Sequence, residues 1–296
     1  MLTDESAGRL TIVDQVITVN SAATISVDTA NLLEATTTGV VTASITTTET
    51  VSELNTLTGT NGAYTIVVAS GDATSTTAAQ LNTLNGKTTV AVDLTNVTAL
   101  AGSSLSDLET LASAINANEF SNDSGLTTIA VTDTTIDATT LASTIDSYDA
   151  IGGTTDMTLA SGATINVDAG EITEMLTDES AGRLTIVDQV ITVNGATTVD
   201  NANLLGATTT GKLTATIATT ETVTELATLS ADGGTNDLTI VIRADDATVS
   251  TAAQLNTINA ATAVAVDLTN VTALAGSSLS DLETLASAIN LSLIHI

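Results

Sequence analysis

Residues 90–116 read VAVDLTNVTALAGSSLSDLETLASAIN, and residues 264–290 read the same, letter for letter, 174 positions later. The stretch holds both parts of the fold. In 90–94, Val90, Val92 and Leu94 share one face of an extended segment opposite Ala91 and Asp93, the two-residue alternation of a strand. In 104–116, Leu105, Leu108, Leu111 and Ile115 recur at i, i+3, i+6 and i+10, a single buried stripe of a helix. Ser104 followed three residues later by Asp107 resembles a capping box, with Asp in place of the usual Glu or Gln. Strand, turn and short amphipathic helix form one element.

Working outward, residues 1–20 (MLTDESAGRLTIVDQVITVN) return as residues 175–194 at the same offset. Between these anchors the copies differ by substitutions and by two compensating length changes. Residues 21–28 correspond to the shorter 195–200, and 57–64 to the longer 229–238. β-branched alternation recurs at 9–13 (RLTIV), 40–45 (VVTASI), 64–68 (YTIVV), 89–94 (TVAVDL), 128–131, 157–159 and 164–167, then at 184–187, 213–217, 238–242 and 264–268. Each reads as a strand; Tyr64, Ile66 and Val68, for example, share a face. Helical spacing follows most of them. Leu81 and Leu84 mark 77–84, which ends at Asn85-Gly86, expected to be a left-handed stop. Val51, Leu54 and Leu57 mark 49–57; Leu141, Ile145 and Tyr148 mark 137–148, with Asp137 as N-cap. Residues 30–35 and 170–176 are weaker instances.

Units repeating at roughly 23–38 residues fall in the range of solenoids. A strand–helix–strand connection joins its strands in parallel with a right-handed crossover. The expected fold is therefore α/β: a repeat solenoid of strand–turn–short helix units with a parallel sheet. The alternative is a right-handed parallel β-helix in which the segments read as helices are further strands. Leu spacing and Ala-rich context favour helix; abundant Thr pulls toward strand. One such unit has too little apolar surface to offset its own ordering cost, so neighbours are expected to complete its core. Residues 1–174 then form a first long repeat of about six units, and 175–290 a second, truncated copy.

Both ends read as cuts. Met1 matches the internal Met175, and the copies part abruptly after Asn116 and Asn290. Residues 291–296 (LSLIHI) are what the codons ctg-tct-ctt-ata-cac-atc encode, a transposase adapter used in preparing sequencing libraries, so 291–296 are expected to be an artefact that includes the single histidine, His295.

Composition narrows function. Five basic residues (Arg9, Lys87, Arg183, Lys212, Arg243) face 34 acidic ones, for a formal charge of −29. Nucleic acid and anionic membrane surfaces are poor partners for such a chain. The 43% hydrophobic content and positive mean hydropathy oppose disorder. No apolar run nears the roughly 18–20 residues of a membrane span, so membrane insertion is not expected. The polar, acidic start LTDESAG has no signal-peptide character. Without Cys there is no disulfide or thiol chemistry.

An Asp follows Val at the end of strand after strand: Asp14, Asp28, Asp93, Asp168, Asp188, Asp200 and Asp267, with Asp133 two residues beyond Val131. Stacked carboxylates suit Ca²⁺, which takes several oxygen ligands. The same residues are also what helix caps and turn starts require. The calcium-binding Gly-Gly-x-Gly-x-Asp nonapeptide and the EF-hand loop are both missing, which favours capping, with no cofactor. Thr runs at 36–38, 46–48 and 208–210 read as turns and solvated strand faces. A lone His, no Cys, candidates duplicated with the repeat and no phosphate-binding glycine motif leave enzyme chemistry little to use, and no catalytic residue is assigned.

The segments ATSTTAAQLNTLNGKTTVAVD (73–93), VVTASITTTETVSELNTLTG (40–59) and AYTIVVASGD (63–72) resemble repeats of very large, Thr/Ala/Asp-rich bacterial proteins of marine or cyanobacterial type, secreted or surface-attached and adhesin-like. The resemblance covers residues 1–290 as a repeat style. It implies an extracellular or cell-surface stalk whose partners are the neighbouring repeats of the same chain. The alternative is a ligand-binding solenoid module for Ca²⁺, a glycan or a protein.

Overall fold

The computed structural model describes residues 11–20, 22–59, 61–151, 155–230 and 235–294, with side chains of the last helix described to Ile289. The expectations for residues 9 and 10 and for the side chains of 291–296 lie outside the described residues. The fold is α/β with parallel sheets and, among the described residues, ten α-helices. Contacts divide the chain into two compact units: Met1–Asp133, Ser143–Thr158 and Gly182–Thr185 form the first, and Thr134–Ala142, Leu159–Ala181 and Ile186–Ile296 the second. This division does not follow the sequence copies, whose junction at Met175 falls inside the helix Ile172–Ser180.

In the first unit Val41–Ile45 is flanked by Ile17–Thr18 and Thr24–Ile25 on one side and by Ala63–Thr65 on the other. Val92–Asp93 pairs with Phe120–Ser121, and Ala99–Ser103 pairs with Thr128–Val131. In the second unit Thr135–Asp137, Thr164–Asp168, Val190–Thr197, Leu213–Ile217 and Asp237–Thr239 lie side by side in sequence order. Paired strands are joined by a helix-containing connection, but they are not always consecutive: Ile17–Thr18 reaches past Thr24–Ile25 to Val41–Ile45, and Val92–Asp93 past Ala99–Ser103 to Phe120–Ser121. Register partners range from Thr24↔Ser44 at the short end to Ala99↔Thr128 at the long end.

Local chemistry explains where the helices start. Thr50 with Glu53, Thr77 with Gln80, Thr222 with Glu225 and Thr251 with Gln254 form complete capping boxes. Ser104 makes only half of one: its hydroxyl accepts from Asp107 N–H at 3.2 Å and donates to the Asp107 carboxylate at 2.6 Å. The shorter Asp side chain bonds the Ser104 hydroxyl and leaves the second contact of the box unmade. Asp137 accepts from Thr140 N–H at 3.0 Å, as its N-cap reading expects. Apolar stripes turn inward: Leu81, Leu84, Leu108 and Leu111 are fully buried, as are the strand residues Tyr64 and Val92.

Several boundaries differ from the sequence reading. The helix expected over 49–57 is only Val51–Leu54, while 30–35 extends to Val27–Glu34 and 170–176 shifts to Ile172–Ser180. Gly86 is not left-handed (φ −69°); the left-handed stop lies after the longer helix Leu105–Asn116, at Asn118 (φ 59°). Residues 11–13 are not strand; the pairing falls later, at Ile17–Thr18. Two glycines are required by close approach: a Cβ on Gly39 would sit 2.5 Å from the Gln15 carbonyl oxygen, and one on Gly211 would strike the Gln189 carbonyl in the same way.

Candidate functional site

The Asp series separates into different local roles. Asp28 and Asp200 are exposed in the first turns of Val27–Glu34 and Val199–Thr208, where a carboxylate complements the helix dipole. Asp93 and Asp267 accept from the N–H two residues on, Thr95 and Thr269, each at 2.8 Å. Asp188 accepts from the Ser161 hydroxyl at 2.5 Å and Gly162 N–H at 3.2 Å. Asp14 is exposed and accepts from the Gln15 amide, and Asp168 is exposed at the end of its strand. Among the described residues, no three His, Cys, Asp or Glu side chains gather in a group that could hold a metal ion.

A different set of polar residues makes a recurring arrangement. The first N–H of a helix is an orphan donor, and here a side chain from the next strand–helix element accepts from it. Glu49 takes Val27 N–H at 3.2 Å, Asp72 takes Val51 at 2.8 Å, Ser103 takes Ala78 at 2.9 Å and Asp133 takes Leu105 at 2.8 Å. In the second unit Asp246 takes Val223 at 2.7 Å and Ser277 takes Ala252 at 3.0 Å. Each helix so capped is completed by residues 21 to 28 positions further along.

Helix asparagines do the same from the other direction. The Nδ2 groups of Asn31, Asn55, Asn82, Asn203 and Asn256 donate to the carbonyls of Thr56, Gln80, Asp107, Thr228 and Asp281, in every case 25 residues away. Threonine hydroxyls outside the strands bond the main chain of the preceding element. Thr37 donates to the Gln15 carbonyl at 2.6 Å and accepts from Gly39 N–H at 3.0 Å; Thr209 repeats this with Gln189 and Gly211. Thr88 bridges Tyr64 O and N at 2.8 and 2.9 Å, and Thr262 bridges Leu238 equally. Asp133 caps a helix, as the sequence reading of the Asp series favours, but the helix is that of the preceding element; the Asn ladder is not among the sequence expectations. The near-25-residue spacing of Asn31, Asn55 and Asn82 was the available signal.

Electrostatics follow from these bonds. Backbone and side-chain hydrogen bonds from Thr50 hold the Glu53 carboxyl below the usual glutamate range, and Thr222 does the same for Glu225, helped by the Arg243 charge. The Ser161 hydroxyl, then Gly162 N–H, lowers Asp188; Thr269 lowers Asp267. Burial works against the charged form of Asp93, but hydrogen bonds from Asn122 and Thr95 outweigh it and its carboxyl lies low. Burial raises both tyrosines; Tyr64 also donates to Glu34 at 2.5 Å, and Tyr148 donates to the Leu108 carbonyl at 3.1 Å. Arg183 pairs with Asp149 at 2.5 Å, Lys212 with Asp237, and Arg243 with Asp246 at 3.0 Å.

An apolar groove of about 320 Å³ opens in the second unit between Ala252–Ala260 and Leu279–Ile294, lined by Leu255, Val266, Leu268, Leu285 and Ile289. Among the described residues no helix is long and apolar enough to cross a membrane. No protein-family model, curated protein or solved structure matches the chain.

Proposed function

We propose that this chain is a structural spacer: a stretch of an acidic α/β solenoid, built of stacked strand–helix units, within a large extracellular or cell-surface protein and without catalysis. The observation that carries the reading is the use made of the recurring polar side chains. Asp72, Asp133 and Asp246 accept helix N–H groups of the preceding element, and five asparagines donate to the following one. Groups that bridge neighbours at a fixed spacing extend a stack, whereas a binding or catalytic site converges different groups on one point. The extracellular placement rests on the resemblance in repeat style, and the −29 charge would keep a long rod soluble and discourage lateral association.

Particle length tests this. Parallel strands lie about 4.8 Å apart, so about six further units should lengthen the particle by roughly 30 Å. X-ray scattering of a chain carrying one more copy of residues 117–290 should show that increase with an unchanged cross-section. A rise in cross-section instead would contradict stacking. Melting in EDTA should match melting in calcium; a calcium-dependent transition would support the binding-module alternative instead.

A further inference from the structure

Identical sequences in unlike surroundings mark an open face. In the first unit, residues 90–116 are covered by the segment that follows them. Phe120–Ser121 pairs with Val92–Asp93, Thr128–Val131 pairs with Ala99–Ser103, and Asp133 caps the N–H of Leu105. Under that cover Leu105, Leu108 and Ile115 are 6%, 0% and 5% exposed. In the second unit the same letters occupy 264–290. There residues 273–277 form no strand, and Leu279, Leu282 and Ile289 are 73%, 38% and 43% exposed beside the apolar groove. Propensity within the 27 residues is the same in both places, so the difference comes from what flanks and covers them.

We infer that this face of the second unit is a docking site for a strand–helix segment with the sequence pattern of residues 118–149, added as a parallel strand along 273–277. The choice of occupant comes from the first unit, where residues 118–133 and 143–149 of that segment accompany the same letters. Phe120, Leu126 and Ile129 are buried there, and the Tyr148 hydroxyl reaches the Leu108 carbonyl. The exposed leucines of 279–290 offer the matching stripe, and the start of the helix Leu279–Ile294 offers the position that Asp133 caps at Leu105. Recognition is apolar and main-chain, since both partners are acidic. The inference rests on the stacking reading only in taking the first-unit pairing as its template.

The test is titration of a synthetic peptide of residues 118–149 into the full chain, followed by calorimetry and NMR-detected hydrogen exchange. Saturable one-to-one binding is expected, with amides of 273–290 exchanging at least about tenfold more slowly. Leu282→Asp in the chain, at an already exposed position, and Ile129→Asp in the peptide should each weaken binding at least about tenfold. Binding indifferent to Leu282→Asp would overturn the inference. So would self-association of the chain that protects 273–290 without peptide, which would assign the face to a second copy. A free peptide can fail through its own ordering cost, so the same segment is also joined directly after Asn290 in place of 291–296. If 273–290 stay unprotected there, the docking site does not exist, whatever the scattering experiment says of particle length.

Discussion

Leu108 and Leu282 occupy the same position in the same 27-letter sequence, and their truncation should cost very different amounts. Leu108 is fully buried, so Leu108→Ala removes apolar contact and leaves an enclosed cavity. Buried Leu→Ala changes cost about 2–5 kcal/mol, and roughly 3 is expected here. Leu282 is 38% exposed and borders an open groove, so Leu282→Ala loses part of the transfer energy and encloses no void. At about 0.8 kcal/mol per buried methylene, roughly 1 kcal/mol is expected. The difference, about 2 kcal/mol, is near thirtyfold in a folding equilibrium. Urea denaturation of both variants, followed by circular dichroism at 25 °C, measures it. Equal losses would refute the reasoning, because the 27-residue sequence around both leucines is the same and their burial differs.

Three further outcomes follow from the polar contacts. Asp72→Ala and Asp133→Ala each remove a carboxylate that caps a neighbouring helix and should cost about 1 kcal/mol in thermal or urea melts, whereas exposed Asp14→Ala should fall within about 0.5 kcal/mol; a comparable loss at Asp14 would discount the caps. The carboxyls of Glu53, Glu225, Asp188 and Asp267 lie below their unfolded values, so their stabilisation is present above about pH 4 and is lost as pH falls through their folded midpoints. Carboxyl-carbon NMR titration should place the Glu53 midpoint below the ordinary glutamate value, and a midpoint at or above it would contradict the Thr50 contacts. Tyr64 and Tyr148 are raised, so their burial stabilises the fold below about pH 10 and that contribution fades above it. Absorbance at alkaline pH should show tyrosinate appearing together with unfolding; early ionisation in the folded chain would argue against the burial of both rings.

The sequence was most readable where local rules and burial agree. The stripe of Leu105, Leu108, Leu111 and Ile115 gave the helix Leu105–Asn116, and the alternation of 40–45 gave Val41–Ile45. Ala99–Ser103 was invisible for a physical reason: Ala-Leu-Ala-Gly-Ser has weak strand propensity, and it forms a strand because Thr128–Val131 pairs with it. The same letters at 273–277 form no strand, although Ala273 and Ala275 N–H donate to the Ala247 and Ser250 carbonyls, so propensity did not decide. Val190–Thr197 also escaped notice, since Asn194 and Gly195 interrupt its alternation; a register shift between Thr192 and Ala196 absorbs them. For the carboxylates, the expected place at a strand end holds for Asp93 and Asp168, whereas Asp28 and Asp200 lie in the first turns of helices and residues 11–13 before Asp14 form no strand. Three of the six caps that tie one element to the next come from Asp72, Asp133 and Asp246, and of these only Asp133 belongs to the Asp series read from sequence. A contact 21 to 28 residues away leaves little trace in local spacing.

Hydrogen exchange in one sample tests most directly whether each element is stabilised by its successor. The helix amides of 108–115 and 282–289 have the same sequence and therefore the same intrinsic exchange rates, and NMR separates them by their surroundings. If the neighbour supplies about 2 kcal/mol, the first set should exchange roughly thirtyfold more slowly than the second. Equal protection in the two helices would contradict the account.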